Sequence, residues 1–170
     1  GMPGDRPIIF WATSYPFANR DKEDVQKDMK RSNVNKAMDI NEFLEYTNLS
    51  QKLSLDAFFK LAAEHKEVNF IIKPHPFERL HDNNVYANYI KESDSDNVFF
   101  IESEPVANLL NICDILLHLT STTSVEAWLL GKQTISLEFA EREEGSHNEL
   151  LSGGATVTNS DELADTVRHY

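Results

Sequence analysis

Four hydroxyl side chains in a row, Ser121-Thr122-Thr123-Ser124, carry the clearest chemical signal in the sequence. They follow an apolar run from Asp114 to Leu119 and precede a helical pattern, Val125 to Leu130, closed by Gly131 in the usual capping place. Strand, hydroxyl turn and helix start together make an anion site. The first turn of a helix offers unbonded N–H groups and a partial positive charge, and the hydroxyls add donors. Thr123 and Glu126 also have the spacing of a capping box. Glu126 can therefore cap the helix, bind a sugar hydroxyl, or do each in a different state. The four hydroxyls can equally be nothing more than a helix start.

A second group with chemistry is Lys73-Pro74-His75-Pro76. Two prolines restrict the backbone around His75, which holds the imidazole out at low entropic cost. It can donate a hydrogen bond to a phosphate oxygen, and protonation would add charge. Without a ligand the same residues are a turn histidine. Other arrangements fail. His75 and His81 have no acid in a ligand-like register, which argues against a metal. His118 sits in an apolar strand and reads as a satisfied core residue. His65, His147 and His169 read as surface residues, and no G-x-S-x-G elbow is present.

Composition bounds what these groups can serve. The 170 residues suit one domain, 2–170, with Gly1 read as a tag remnant, and a 41% hydrophobic fraction is enough for a core. Sixteen basic against 28 acidic residues give a net charge of -12, which argues against nucleic acid and against anionic lipid. The one cysteine, Cys113, reads as a buried thiol with no disulfide framework. No apolar run approaches the ~18 residues of a membrane span, and no signal peptide opens the sequence.

The elements that must position these groups alternate. Strands are predicted at Pro7–Thr13, Val68–Ile72, Val98–Ile101, from Asp114, at Gln133–Glu138 and at Ala155–Thr158. Between them lie a charged stretch at Asp21–Lys36, exposed or mobile, and helical patterns at Met38–Glu64 (with a possible break at Asn48–Ser50), Asn83–Ser93 and Val106–Ile112. A last helix starts at Ser160 and runs to the end of the chain, so the chain is expected to be a piece of a longer protein. This order predicts an α/β, Rossmann-like, mostly parallel sheet covered by helices on both faces. Ligands bind such sheets beyond the C-terminal strand ends. Those ends carry Thr13 and Ser14, His75, Glu102 and Ser103, and Ser121 to Ser124.

At these residues the chain resembles the C-terminal donor domain of GT-B-fold glycosyltransferases of bacterial surface carbohydrates. The carriers are His75-Pro76 after a strand, Asp114, and Ser121-Thr-Thr-Ser124 before Glu126. The sialyltransferase-like, Kdo-transferase-like and polyglycerolphosphate-transferase-like proteins are most similar, over about Val68 to Leu137. The resemblance implies one half of a GT-B fold that binds a nucleotide-sugar, CMP-linked slightly favoured, without metal or other cofactor. Thr13, Ser14, His75 and Ser121 to Ser124 would face the donor phosphate. Glu126 would meet a ribose or sugar hydroxyl, and Glu102 and Ser103 would lie beside the base. It also implies a cytoplasmic protein, at the inner face of the membrane when complete. A missing N-terminal domain would bring the acceptor glycan and the general base, for which this chain has no equivalent. UDP-sugar 2-epimerases share a similar half-domain and stand as an alternative. A non-catalytic α/β binding module is the alternative of another class.

Overall fold

The computed structural model describes residues 2–32, 39–79, 85–140 and 153–170. Six strands form one sheet: β1 (Ile8–Ala12), β2 (Asn69–Lys73), β3 (Val98–Phe100), β4 (Ile115–His118), β5 (Gln133–Leu137) and β6 (Ala155–Val157). Their order is β3-β2-β1-β4-β5-β6, and every pairing is parallel. The chain builds outward from β1 to one side through β2 and β3, then crosses back to place β4 against the other side of β1. The gap between β1 and β4 is thus the topological switch point, where the loops on either side diverge and leave a crevice.

Strand side chains alternate between two cores. Ile9 and Trp11 of β1 face helix α2 (Ile40–Glu64), α4 (Val85–Ser93) and α7 (Ser160–Arg168). The ring of Trp11 packs 5.1 Å from Phe58 of α2. Phe10 and Ala12 face the opposite side, under Leu109 and Leu110 of α5 (Val106–Ile112) and Ala127 of α6 (Thr123–Leu129). The sheet is therefore covered on both faces. Cys113 is fully buried in the second core, and burial pushes its thiol up to about 11. Among the described residues, no helix is long and apolar enough to cross a membrane.

The charged stretch, expected as an exposed helix or a mobile connection, is the helix α1 (Lys22–Ser32), and residues 33–36 lie outside the described residues. Other local expectations are corrected. Asn48–Ser50 does not break α2, which runs unbroken from the N-cap Asp39. Asn48 Oδ1 accepts the Asn19 N–H at 2.7 Å, so this amide bonds a neighbouring loop rather than competing for its own backbone. Ser50 is buried in the helix face. Helix α6 starts at Thr123, earlier than the pattern suggested, with Thr122 as its cap residue. Asp114 lies at the opposite end of β4 from the hydroxyl turn, where its carboxylate accepts the Ile8 N–H at 2.8 Å.

Candidate functional site

The C-terminal ends of β2, β1 and β4 lie side by side, so the His75 corner, Thr13-Ser14 and the hydroxyl turn share one edge of the sheet around the switch point. The turn is set by Thr120, whose φ of 45° is left-handed. A β-branched residue rarely adopts that conformation, and such strain concentrates at functional turns. The Thr120 hydroxyl is buried with no partner among the described residues. Ser121 then does the capping expected of Thr123. Its carbonyl accepts the Ser124 N–H at 3.0 Å and the Ser124 hydroxyl at 2.7 Å, and its Oγ accepts the Thr123 N–H at 3.3 Å. Ser124 is fully buried, whereas Thr122 is exposed at the tip, with its N–H and hydroxyl bonded to no described residue. The Thr123–Glu126 capping box does not form, because Thr123 is already helical. Glu126 is left exposed in the first turn of α6.

His75 is half-buried, and its ring is fixed by its own helix turn. The Phe77 N–H donates to Nδ1 at 3.2 Å, and the Phe77 ring stacks on the imidazole at 5.7 Å. With Nδ1 accepting, the ring proton sits on Nε2, a donor. Loss of water lowers the proton affinity of His75, and the negative charge of Glu78 opposes that. The neutral donor form, rather than the cation, is the one this site favours near pH 7.

Thr13, expected to face phosphate, is 4% exposed, and its hydroxyl donates to both oxygens of Glu78 at 2.9 and 3.0 Å. It braces the site from below. Ser14 is half-exposed beside it. Glu102 and Ser103 are exposed at the end of β3, beyond β2 and away from the hydroxyl turn. The Glu102 carbonyl accepts Lys73 Nζ at 2.7 Å, which ties that loop to β2. Glu78 itself was missed. It sits in a short charged run that reads as surface, yet it is 3% exposed, and the faint signal was its place three residues after His75.

His118 corrects another expectation: it is buried, but neither ring nitrogen has a hydrogen-bond partner among the described residues, and burial pushes its pKa down to about 4. His65 is partly covered and His169 exposed, while His81 and His147 lie outside the described residues. Among the described residues, no group of three or more His, Cys, Asp or Glu is arranged to hold a metal ion.

A family model described as "Capsule polysaccharide biosynthesis protein" matches residues 35–140. No curated protein matches significantly. Among solved structures, the chain is similar to a Methanocaldococcus jannaschii UDP-GlcNAc 2-epimerase in complex with UDP-GlcNAc and UDP, at 16% identity and a TM-score of 0.54, covering 96% of this chain and 38% of that one. It is similar to S. aureus MnaA with UDP at 17% identity and a TM-score of 0.52, covering 97% and 36%. It is also similar to the C-terminal domain of a glycosyl transferase group 1 family protein, LpcC, from Francisella tularensis. That match has 13% identity and a TM-score of 0.52, covering 99% of this chain and 76% of that one. At these identities the likeness is one of fold. The chain spans little more than a third of the length of the M. jannaschii epimerase and of MnaA.

Proposed function

The chain belongs to the capsule polysaccharide biosynthesis protein family, and on that premise we propose that it is the donor-nucleotide-binding half of a glycosyltransferase of surface polysaccharide. The observation that carries the reading is the juxtaposition at the switch point of a neutral Nε2–H histidine and an exposed hydroxyl turn. Strands β2 and β4 are two spacings apart, about 10 Å, a gap that one extended imidazole and one phosphate group together span. His75 donates to a phosphate oxygen from one side, and the open N–H and hydroxyl of Thr122 donate from the other, beside Ser121, whose hydroxyl donates to Thr123 Oγ1 at 3.1 Å. Glu126, which no cap employs, meets a ribose or sugar hydroxyl. Ser14 borders the phosphate, and Glu102 and Ser103 lie out toward the base. Donors fixed in place before the reaction stabilise the charge that develops on a leaving nucleotide phosphate. A metal is not required for that.

The acceptor glycan and the general base belong to another domain in this proposal, and the complete protein works at the cytoplasmic face of the membrane. The isolated chain then binds nucleotide weakly and transfers no sugar. No Asp or Glu is placed by motif to deprotonate an acceptor hydroxyl, and in this proposal the base comes from the other domain. Half of the cleft that would exclude water is also contributed from elsewhere. Calorimetry with CMP, CDP, UDP and GDP tests the binding. CMP is the favoured nucleotide, and the UDP bound to the M. jannaschii epimerase and to MnaA makes UDP the natural competitor. His75→Ala and Thr122→Val should each weaken the best ligand about tenfold or more, the loss of one charge-assisted hydrogen bond. Unchanged affinity in both variants would refute the site.

A further inference from the structure

We propose that Glu78 is a positioning residue of this site, whose buried carboxylate holds His75 with its Nε2–H directed outward and locks the loop after β1 against it. The inference rests on the reading of His75 as a phosphate ligand. A carboxylate at 3% exposure is costly unless its oxygens are hydrogen-bonded, and Glu78 gathers donors from several parts of the chain. Its oxygens accept the Thr13 hydroxyl, the Tyr15 N–H at 2.8 Å, the His75 N–H at 3.4 Å and the hydroxyl of Tyr86, which is 1% exposed on α4. None of these donors is a cation, so among the described residues the charge is held by dipoles.

The local geometry shows what the arrangement achieves. His75 precedes the short helix α3 (Pro76–Arg79) and caps it with Nδ1, while the Glu78 side chain reaches back to the His75 N–H. This is the reciprocal pattern of a capping box, with an imidazole in place of the usual hydroxyl. A cap of that kind dictates the tautomer: Nδ1 must stay bare to accept, so Nε2 must carry the proton. The other bonds of Glu78 go further than a cap needs. Thr13 bonds both Glu78 and the His75 N–H, and Tyr15 anchors the following loop, so the ends of β1 and β2 are joined through one side chain. The charge of Glu78 also raises the proton affinity of His75 against the effect of burial. The bridge through Thr13 and the bond to the Tyr15 N–H lie beyond what capping α3 requires.

The test compares wild type with Glu78→Gln, which keeps the shape and removes the charge, and with Thr13→Val, which removes the bridge. Two quantities are read: affinity for the tightest of CMP, CDP, UDP and GDP, and the tautomer of His75 from its ring nitrogen-15 shifts. The wild type should show a bare Nδ1 and a protonated Nε2. Glu78→Gln, folded by circular dichroism, should bind about tenfold more weakly and show a mixed tautomer. Unchanged affinity together with an unchanged tautomer would overturn the proposal. If Glu78→Gln does not fold, Thr13→Val decides by the same two readings. If the wild type binds none of the four nucleotides, the phosphate reading fails on its own, and the tautomer comparison still decides whether Glu78 positions the ring.

Discussion

His118 should make the stability of this domain fall between pH 6.5 and 4, with most of the loss above pH 5, where carboxylates are still ionised. The imidazole is 1% exposed, and both nitrogens lack partners among the described residues, so the fold accepts only the neutral ring. Burial lowers its pKa from 6.5 to about 4. The unfolded chain takes up a proton as the pH drops through 6.5, and the folded chain does not until about 4. The full stability is therefore present above 6.5 and is lost downward through that window. The difference of 2.5 units, 6.5 − 4, corresponds to about 3 kcal/mol in all, of which about 2 kcal/mol is lost by pH 5. Urea denaturation at pH 7.5, 6.5, 5.5 and 5.0 measures this directly. The carboxylates held below their usual range, Asp39, Asp56, Glu67 and Glu162, act in the same sense, because the unfolded chain again takes up the proton first, but only at lower pH. His75, also lowered, adds a smaller slope of the same sign, which His75→Ala removes. His118→Leu eliminates two orphaned nitrogens without leaving a partner unmet. It should match or exceed the wild type at pH 7.5 and flatten the profile. A variant that loses more than about 1 kcal/mol at pH 7.5, or keeps the wild-type slope, would refute the reasoning.

Other expectations follow from the backbone. Thr120→Asn replaces a β-branched residue at φ 45° with one that tolerates the left-handed region, and should raise the unfolding free energy in urea by about 1 kcal/mol. Gly154→Ala should do the reverse. Its φ is 133°, and an added Cβ would lie 2.2 Å from Thr134 Oγ1 and 2.5 Å from the Thr134 carbonyl oxygen, so the β5–β6 edge must shift, at about 1–3 kcal/mol or more by the same denaturation.

The sheet was legible in the sequence because its signals are local and repeated. Apolar runs such as Phe70-Ile71-Ile72 and Ile115-Leu116-Leu117 are too short for helices and too continuous for exposed strands, which leaves a buried parallel sheet. Once that order is known, the C-terminal edge follows, and with it the common edge shared by Ser121, Thr122 and His75. What stayed hidden depends on contacts between distant residues. Glu78 reads as surface because its donors, Thr13, Tyr15 and Tyr86, are supplied by the fold and not by its neighbours in sequence. The left-handed Thr120 could not be anticipated, since propensity puts glycine or asparagine at such a position. The start of α6 was misplaced because Thr123-x-x-Glu126 satisfies the capping pattern while Ser121 performs it. Asn48-Leu-Ser50 looked like a breaker because the loop that occupies Asn48 arrives from Asn19.

The central claim is that a nucleotide phosphate binds between His75 and the turn that Thr122 tips. A crystal structure of the chain soaked with CMP, CDP or UDP tests it most directly. The account predicts a phosphate oxygen within about 3 Å of His75 Nε2, and another at the same distance from the Thr122 N–H or hydroxyl, the ordinary range of such bonds. A nucleotide bound elsewhere, or one whose phosphates point into solvent while His75 and Thr122 touch nothing, would contradict it.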